Sequence, residues 1–190
     1  TGEAAEANAD YRSSILVPYY GVNLDTFDFL WLGINTTPED QAIGNDYWFQ
    51  NGGKLLEDLP VTNAQVINTW QRTVSETPDG TAGYVVYADC KYGEGVTGEQ
   101  QYDAYYAYAQ AAQKLGDAAG RKMIWPTMGI TPGWDYDYVQ AVFTSTITDY
   151  GKNWSNFWSA AEDMPEYAAL EAMGGVCENQ RSFAIVPVKN

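Results

Sequence analysis

The segment "LVPYYGVNLDTFDFLWLG" at residues 16–33 is echoed by "IWPTMGITPGWDYDYVQAV" at 124–142. Superposing them pairs Pro18 with Pro126 and Gly21 with Gly129, a shift of 108 in each case (126 − 18 and 129 − 21). After a one-residue insertion, Asp28 falls on Asp137, Leu30 on Val139, Leu32 on Ala141 and Ile34 on Phe143, all shifted by 109, and Trp48 then meets Trp158 at a shift of 110. An ordered series of matches whose shift drifts by single residues is the signature of a duplicated unit with loop-sized insertions. Whatever the chain folds into must be built twice.

Each copy reads coarsely the same way. Residues 13–20 and 27–34 are strand-like runs on either side of a Gly-Val-Asn-Leu-Asp turn, which predicts a hairpin. Thr37-Pro38-Glu39-Asp40 predicts a helix start, with Thr as cap and Pro at the first helical position; the helix is expected to reach about Asp58 with a break at Gly52-Gly53. Residues 64–74 close the copy as a strand. The second copy adds a strand at 83–90 and a helix at 98–116, in which Tyr105, Tyr108, Ala112 and Leu115 share one face and Gly116 stands as the stop. Strand 122–130, strand 135–145, helix 149–173 and strand 181–188 follow. The order is βαββαβ, the plan of a ferredoxin-like antiparallel sheet with helices on one face. The first copy begins inside its first helix at "TGEAAEANAD" and lacks the initial strand, so the division is 1–75, a linker at 76–82, and 83–190.

Period-two alternation splits the central strands into two faces. Leu30, Leu32 and Ile34, with Val139, Ala141 and Phe143, suit a helix-covered side, whereas Phe29 and Trp31, with Tyr138, Gln140 and Val142, suit the other side. Two such sheets can bury their free faces together. The fold class expected is therefore α+β: two tandem ferredoxin-like repeats packed sheet to sheet as an intrachain barrel. In this the chain resembles the dimeric α+β barrel superfamily, which includes antibiotic-biosynthesis monooxygenase-like proteins. The resemblance rests on architecture and matches no catalytic motif. It implies an inter-sheet interior where cofactor-independent oxygenases hold electron-rich aromatic substrates, and it implies no haem chemistry here, because haem-binding relatives use a histidine and this chain has none.

Candidate ligand-binding residues on that inner face are Phe29, Trp31, Tyr138 and Gln140, joined by Val17, Tyr19, Trp125 and Thr127 from neighbouring strands. They either line a pocket for a small flat apolar ligand or fill the space between two sheets. The formal charge of −15 repels phosphate backbones and anionic membrane surfaces, so nucleic acid is excluded as a partner. No apolar run approaches the ~18–20 residues that cross a bilayer, so no membrane insertion is expected. No cofactor or metal is expected: the acidic hairpins "NLDTFD" at 23–28 and "WDYD" at 134–137 offer oxygen ligands for calcium, but too few of them, and Asp is common in turns for local bonding alone. Two sequons, at Asn35 and Asn153, would accept sugar in a eukaryotic secretory route.

In the βαββαβ order the strands ending at Cys90 and following Cys177 are antiparallel neighbours, so the two thiols should be close, as a structural disulfide or as free thiols. With Thr1 rather than Met in first place, this gives the expectation of a secreted or periplasmic chain. The function expected is a non-catalytic binding or assembly module with an aromatic interior, the alternative being a cofactor-independent oxygenase or isomerase acting on a small aromatic substrate. The unpaired edge of strand 64–74 is expected to recruit a second copy or another protein.

Overall fold

The structure, a computed structural model, describes residues 10–21, 27–58, 60 and 65–189. Among the described residues it is a mixed α+β fold of seven strands and four helices. The strands are β1 (Arg12–Tyr20), β2 (Leu30–Ile34), β3 (Asn68–Ser75), β4 (Tyr84–Lys91), β5 (Gly120–Met128), β6 (Tyr138–Thr144) and β7 (Val176–Lys189). The helices are α1 (Pro38–Leu56), α2 (Gly98–Lys114), α3 (Ile147–Asn156, running on as a π turn over Phe157–Ala161) and α4 (Pro165–Glu171). Hydrogen bonding orders the strands β2-β1-β7-β4-β6-β5-β3. The contacts group into two compact units, Thr1–Val17 with Phe29–Val66 and Val186–Asn190, and Pro18–Asp28 with Ile67–Ile185, so β1 and β7 belong in part to each.

In the first unit, β1 and β2 form the expected antiparallel pair, in register from Arg12 opposite Ile34 to Leu16 opposite Leu30. The turn proposed to join them lies mostly outside the described residues, as does the helical start proposed for residues 1–9. Gly33 makes room for Tyr11, because a Cβ there would fall 2.7 Å from the Tyr11 hydroxyl. That hydroxyl accepts a 2.9 Å hydrogen bond from Trp31 Nε1. Helix α1 starts as the sequence predicts: the Thr37 side chain accepts from Asp40 N at 3.1 Å, and Pro38 supplies a fixed φ where no N–H is needed. It does not break at Gly52-Gly53. Gly52 is a packing glycine, since a Cβ would meet the Trp48 ring at 2.8 Å.

The second unit carries β4-α2-β5-β6-α3-α4-β7, the expected βαββαβ order, with strands arranged β7-β4-β6-β5 and β3 beyond β5. The β4·β6, β4·β7, β5·β6 and β3·β5 pairings are antiparallel. Strand β3 begins at Asn68 rather than at 64, and pairs with β5 alone among the described residues. Helix α2 opens on a Thr97/Gln100 capping box that satisfies two otherwise unpaired backbone donors, and it stops before Gly116, whose φ of +89° suits the left-handed turn. Its buried stripe is Tyr102, Tyr105, Tyr108, Ala109 and Ala112, with the alanines letting the helix approach Met123, Ala88 and Tyr138 closely. Leu115, expected on that stripe, lies at the C-cap and is 47% exposed. The single helix expected over 149–173 is interrupted, because Pro165 lacks the N–H a continuing helix needs and instead opens α4.

Cys90 and Cys177 sit directly opposite one another in the β4·β7 register and are joined as a disulfide. Cys90 is fully buried and Cys177 exposed.

Candidate functional site

Strand β6 decides where a site can form, because both its faces are mostly apolar. The expectation put Val139, Ala141 and Phe143 under the helices. The structure reverses this: Tyr138 packs in the core cluster with α2, and Gln140 Nε2 donates to the Tyr105 hydroxyl of α2. The reason lies on the helix. A stripe of tyrosines brings hydroxyls to the sheet, and a buried hydroxyl needs a partner that Val139 or Phe143 cannot supply.

The other proposed site residues divide accordingly. Trp125 also belongs to the helix side, donating from Nε1 to Tyr92 Oη at 2.7 Å, while Tyr92 stacks on Tyr138 with centroids 5.2 Å apart. Tyr19 is 56% exposed and meets Tyr84 edge to face. Val17 is exposed, and Thr127 donates to the Asn68 carbonyl at 3.1 Å. Phe29 and Trp31 belong to the first unit and are 44% and 55% exposed. Within the second unit, Trp125, Tyr138 and Gln140 are thus brought together on the helix-facing side.

What the second unit does form is a cavity of about 400 Å³ between the helix-facing side of the sheet and α2, α3 and α4. Its wall is aromatic. Tyr150 and Trp154 come from α3, Phe157 and Trp158 from the π turn, Tyr167 from α4, and Tyr105 and Tyr108 from α2. The π turn is closed by a bond from Glu162 N to the Phe157 carbonyl at 3.0 Å, and its extra residue re-aims the rings that follow. Trp154 and Trp158 stack with centroids 6.1 Å apart and 22° between planes, while Phe157 stands nearly perpendicular to both.

The floor is polar and built from neighbouring residues of one short segment. Asp117 accepts from Ala119 N at 2.7 Å and from Arg121 Nη2, and Arg121 Nη1 donates to the Ala119 carbonyl at 3.0 Å. These side chains are only 9% and 6% exposed, so the pair is buried. The Tyr108 ring lies 5.6 Å from the guanidinium carbon. Asn153 Oδ1 accepts from Ala118 N at 2.9 Å, which fixes the orientation of the amide and leaves Nδ2 buried without a partner. A sugar on Asn153 would have to grow from that buried nitrogen, so the second sequon is closed in the folded chain.

Protonation follows from burial. Tyr105 is pushed up to about 12 by burial, against the pull of Arg121 and the Gln140 hydrogen bond. Burial also raises Tyr108 and Tyr138. For Arg121 burial alone would lower the pKa, but the charge and hydrogen bond of Asp117 oppose it and the guanidinium is held protonated. At neutral pH the cavity therefore presents neutral phenols and a committed ion pair. It can stack and donate hydrogen bonds; a proton acceptor poised near neutrality is not among the groups described.

A second hollow, of about 460 Å³, is lined by Lys91, Gly133, Asp135, Tyr136, Val176 and Glu178. Lys91 already pairs with Asp135 at 2.5 Å, and Asp137 accepts from Tyr92 N at 2.7 Å, so these acidic residues serve the local fold. The first acidic hairpin lies mostly outside the described residues. No group of three or more His, Cys, Asp or Glu suited to a metal occurs among the described residues.

The sequence reading missed Asp117, Arg121, Asn153, Trp154 and Trp158. Two signals were present: aromatics at 154, 157 and 158, one helical turn apart, and an Arg121-Lys122 pair opening a strand in a chain with only ten Lys and Arg.

No family model and no curated protein matches the chain. Among solved structures it is similar to a chlorite dismutase-like protein, at 11% identity and a TM-score of 0.48, covering 97% of this chain and 80% of that one. It is also similar to an anthrone oxidase-like protein, at 12% identity and a TM-score of 0.41, covering 98% and 84%. Likeness at TM-scores below 0.5 says nothing of activity, and what this chain does must be read from its own residues.

Proposed function

We propose that the chain is an extracytoplasmic, non-catalytic binding module whose small ligand occupies the cavity under α2, α3 and α4. The observation that carries this reading is the pairing of an aromatic wall with a buried Asp117–Arg121 floor in a cavity of ligand size. The oxygenase or isomerase alternative requires a tuned base; Asp117 is committed to Arg121, and the phenol of Tyr105 is held protonated to about 12, which favours binding over turnover. A disulfide between Cys90 and Cys177 supports an oxidising compartment.

The tandem-repeat architecture belongs to the same proposal. Its supports are the strand bounds Arg12–Tyr20 and Gly120–Met128, offset by 108, and the caps Thr37/Asp40 and Thr146/Asp149, offset by 109 and bonded alike: each Thr side chain accepts from its Asp backbone at 3.1 Å. Repeats at 1–75 and 83–190, joined by 76–82 and packed sheet to sheet, remain the arrangement proposed, with the first-copy residues Phe29 and Trp31 as candidate inner-face positions. Self-association through the outer edge of β3 is part of it, since that edge is free of strand partners among the described residues and carries Trp70 at 56% exposure.

Native mass spectrometry of the purified chain tests these points together. A retained small mass, or one acquired from a panel of aromatic and alkylated probes, is expected at one per chain. Failure to take up any probe, with substrate turnover absent as well, overturns the binding reading.

A further inference from the structure

The cavity's electrostatics narrow its ligand, and this step rests on the binding reading above. Among the described lining residues the sole cation is Arg121, and Asp117 neutralises it at close range. An anion would therefore meet no available counter-charge, in a chain that carries −15 overall and repels it from a distance. A cation meets the opposite conditions. The net charge concentrates cations around the protein, and the wall offers the negative faces of several π systems.

The ring geometry suits this. Tyr150 and Trp154 stand at 83° with centroids 6.4 Å apart, and Trp154 and Phe157 at 83° and 5.8 Å, so rings of different orientation line the one cavity. Trp158, 63% exposed, stacks against Trp154 and lines the cavity from its mouth. Metal ions and primary ammonium groups hold their water shells tightly and need oxygen ligands; an alkylated ammonium sheds water readily and is satisfied by rings.

We infer that the cavity binds an organic cation of the alkylated ammonium class, its charge set against the rings of Tyr150, Trp154, Phe157 and Trp158 that line it. No covalent step is involved. The probes are choline, its neutral carbon isostere 3,3-dimethylbutan-1-ol, and indole, titrated against the intact chain by calorimetry and ligand-observed NMR at 0.15 M and 0.5 M salt. Choline is expected to bind at least ~10-fold more tightly than the isostere, in line with cation–π contacts to several rings at once. Trp158→Ala is expected to abolish that preference and Trp158→Phe to retain part of it, with both variants folded because the side chain is largely exposed. Equal or tighter binding of the isostere or of indole overturns the charge inference while leaving the cavity reading intact. Choline binding that survives Trp158→Ala, or that vanishes at 0.5 M salt, overturns it as mere attraction to an acidic surface. If none of the three probes binds, the cation inference falls together with the cavity reading.

Discussion

Replacing Asp117 with alanine tests the floor of the cavity most directly. The carboxylate bonds Arg121 Nη2 and Ala119 N, and both charged side chains are nine-tenths or more buried. Its loss leaves a guanidinium that burial disfavours, with only the Ala119 carbonyl and the Tyr108 face as company. Breaking a buried pair by removing one partner costs about 3–5 kcal/mol, and orphaning the Ala119 N–H accounts for ~1–3 of it. With a urea m-value of about 2 to 3 kcal/mol/M for a chain of this size, the midpoint should fall by roughly 1 to 2.5 M. The double variant Asp117→Ala/Arg121→Met removes the stranded charge and should recover much of that loss, because an apolar replacement of a whole buried pair is often neutral. The midpoints of wild type, both single variants and the double variant, read by urea denaturation, form the cycle. A single-variant cost under about 1 kcal/mol, or simple additivity of the two substitutions, would refute the buried pair as the element that shapes the cavity.

Three further outcomes are expected. Material never exposed to reductant should show no free thiol on denaturation; reducing the bond that closes a separation of 87 residues should cost about 4–5 kcal/mol by chain entropy, and two labelled cysteines would reject it. Gly120→Ala should destabilise by about 1–3 kcal/mol, because its Cβ would fall 2.3 Å from the Phe143 ring, and an unchanged melting temperature would show that Phe143 does not lie over that position. Tyr105 and Tyr87 are both pushed up to about 12 by burial, so below pH ~10 both states keep these protons, while between ~10 and ~12 only the unfolded chain releases them. Stability should therefore fall as pH rises through that window, and a single tyrosine titration near 10 at 295 nm with the fold intact would contradict it.

Where a residue's local chemistry has one solution, the sequence reading held. Thr37 followed by Pro38 and Asp40 can cap a helix and do little else, and it does. Gly116 marks a stop because a left-handed turn there excludes most side chains. The pairing of Cys90 with Cys177 followed from strand order alone. The misses came where two solutions were equally apolar. Strand β6 alternates Tyr-Gln-Val against Val-Ala-Phe, and hydrophobicity cannot say which set faces the helices; the hydrogen-bonding needs of the α2 tyrosines choose. Gly52 reads as a breaker in sequence but acts as a seat for Trp48 one turn earlier in the same helix, a local i, i+4 contact that a breaker rule overlooks.

The same hydrogen-bonding need explains why the second unit has a polar-floored cavity at all. A helix that packed leucines onto the sheet would seal against it, with no atom left asking for a partner. Helix α2 packs tyrosines instead, and each hydroxyl has to be met: Tyr102 donates to the Thr73 carbonyl at 2.8 Å, Tyr105 accepts from Gln140, and Tyr108 lies against Arg121. Those partners are themselves polar, so they require their own, and Asp117 and the Ala119 carbonyl supply them. On the other side of the gap, the π turn and Pro165 interrupt the helical run, and α4 begins afresh rather than continuing α3 across the sheet. The space between is lined by rings because aromatic side chains span distances that shorter ones do not. A ligand that enters finds faces to stack on and no spare charge to answer its own, except the electron density of the rings. That asymmetry is what makes an alkylated cation, rather than an anion or a bare apolar ring, the ligand whose affinity should be lost most steeply when Trp158 is truncated.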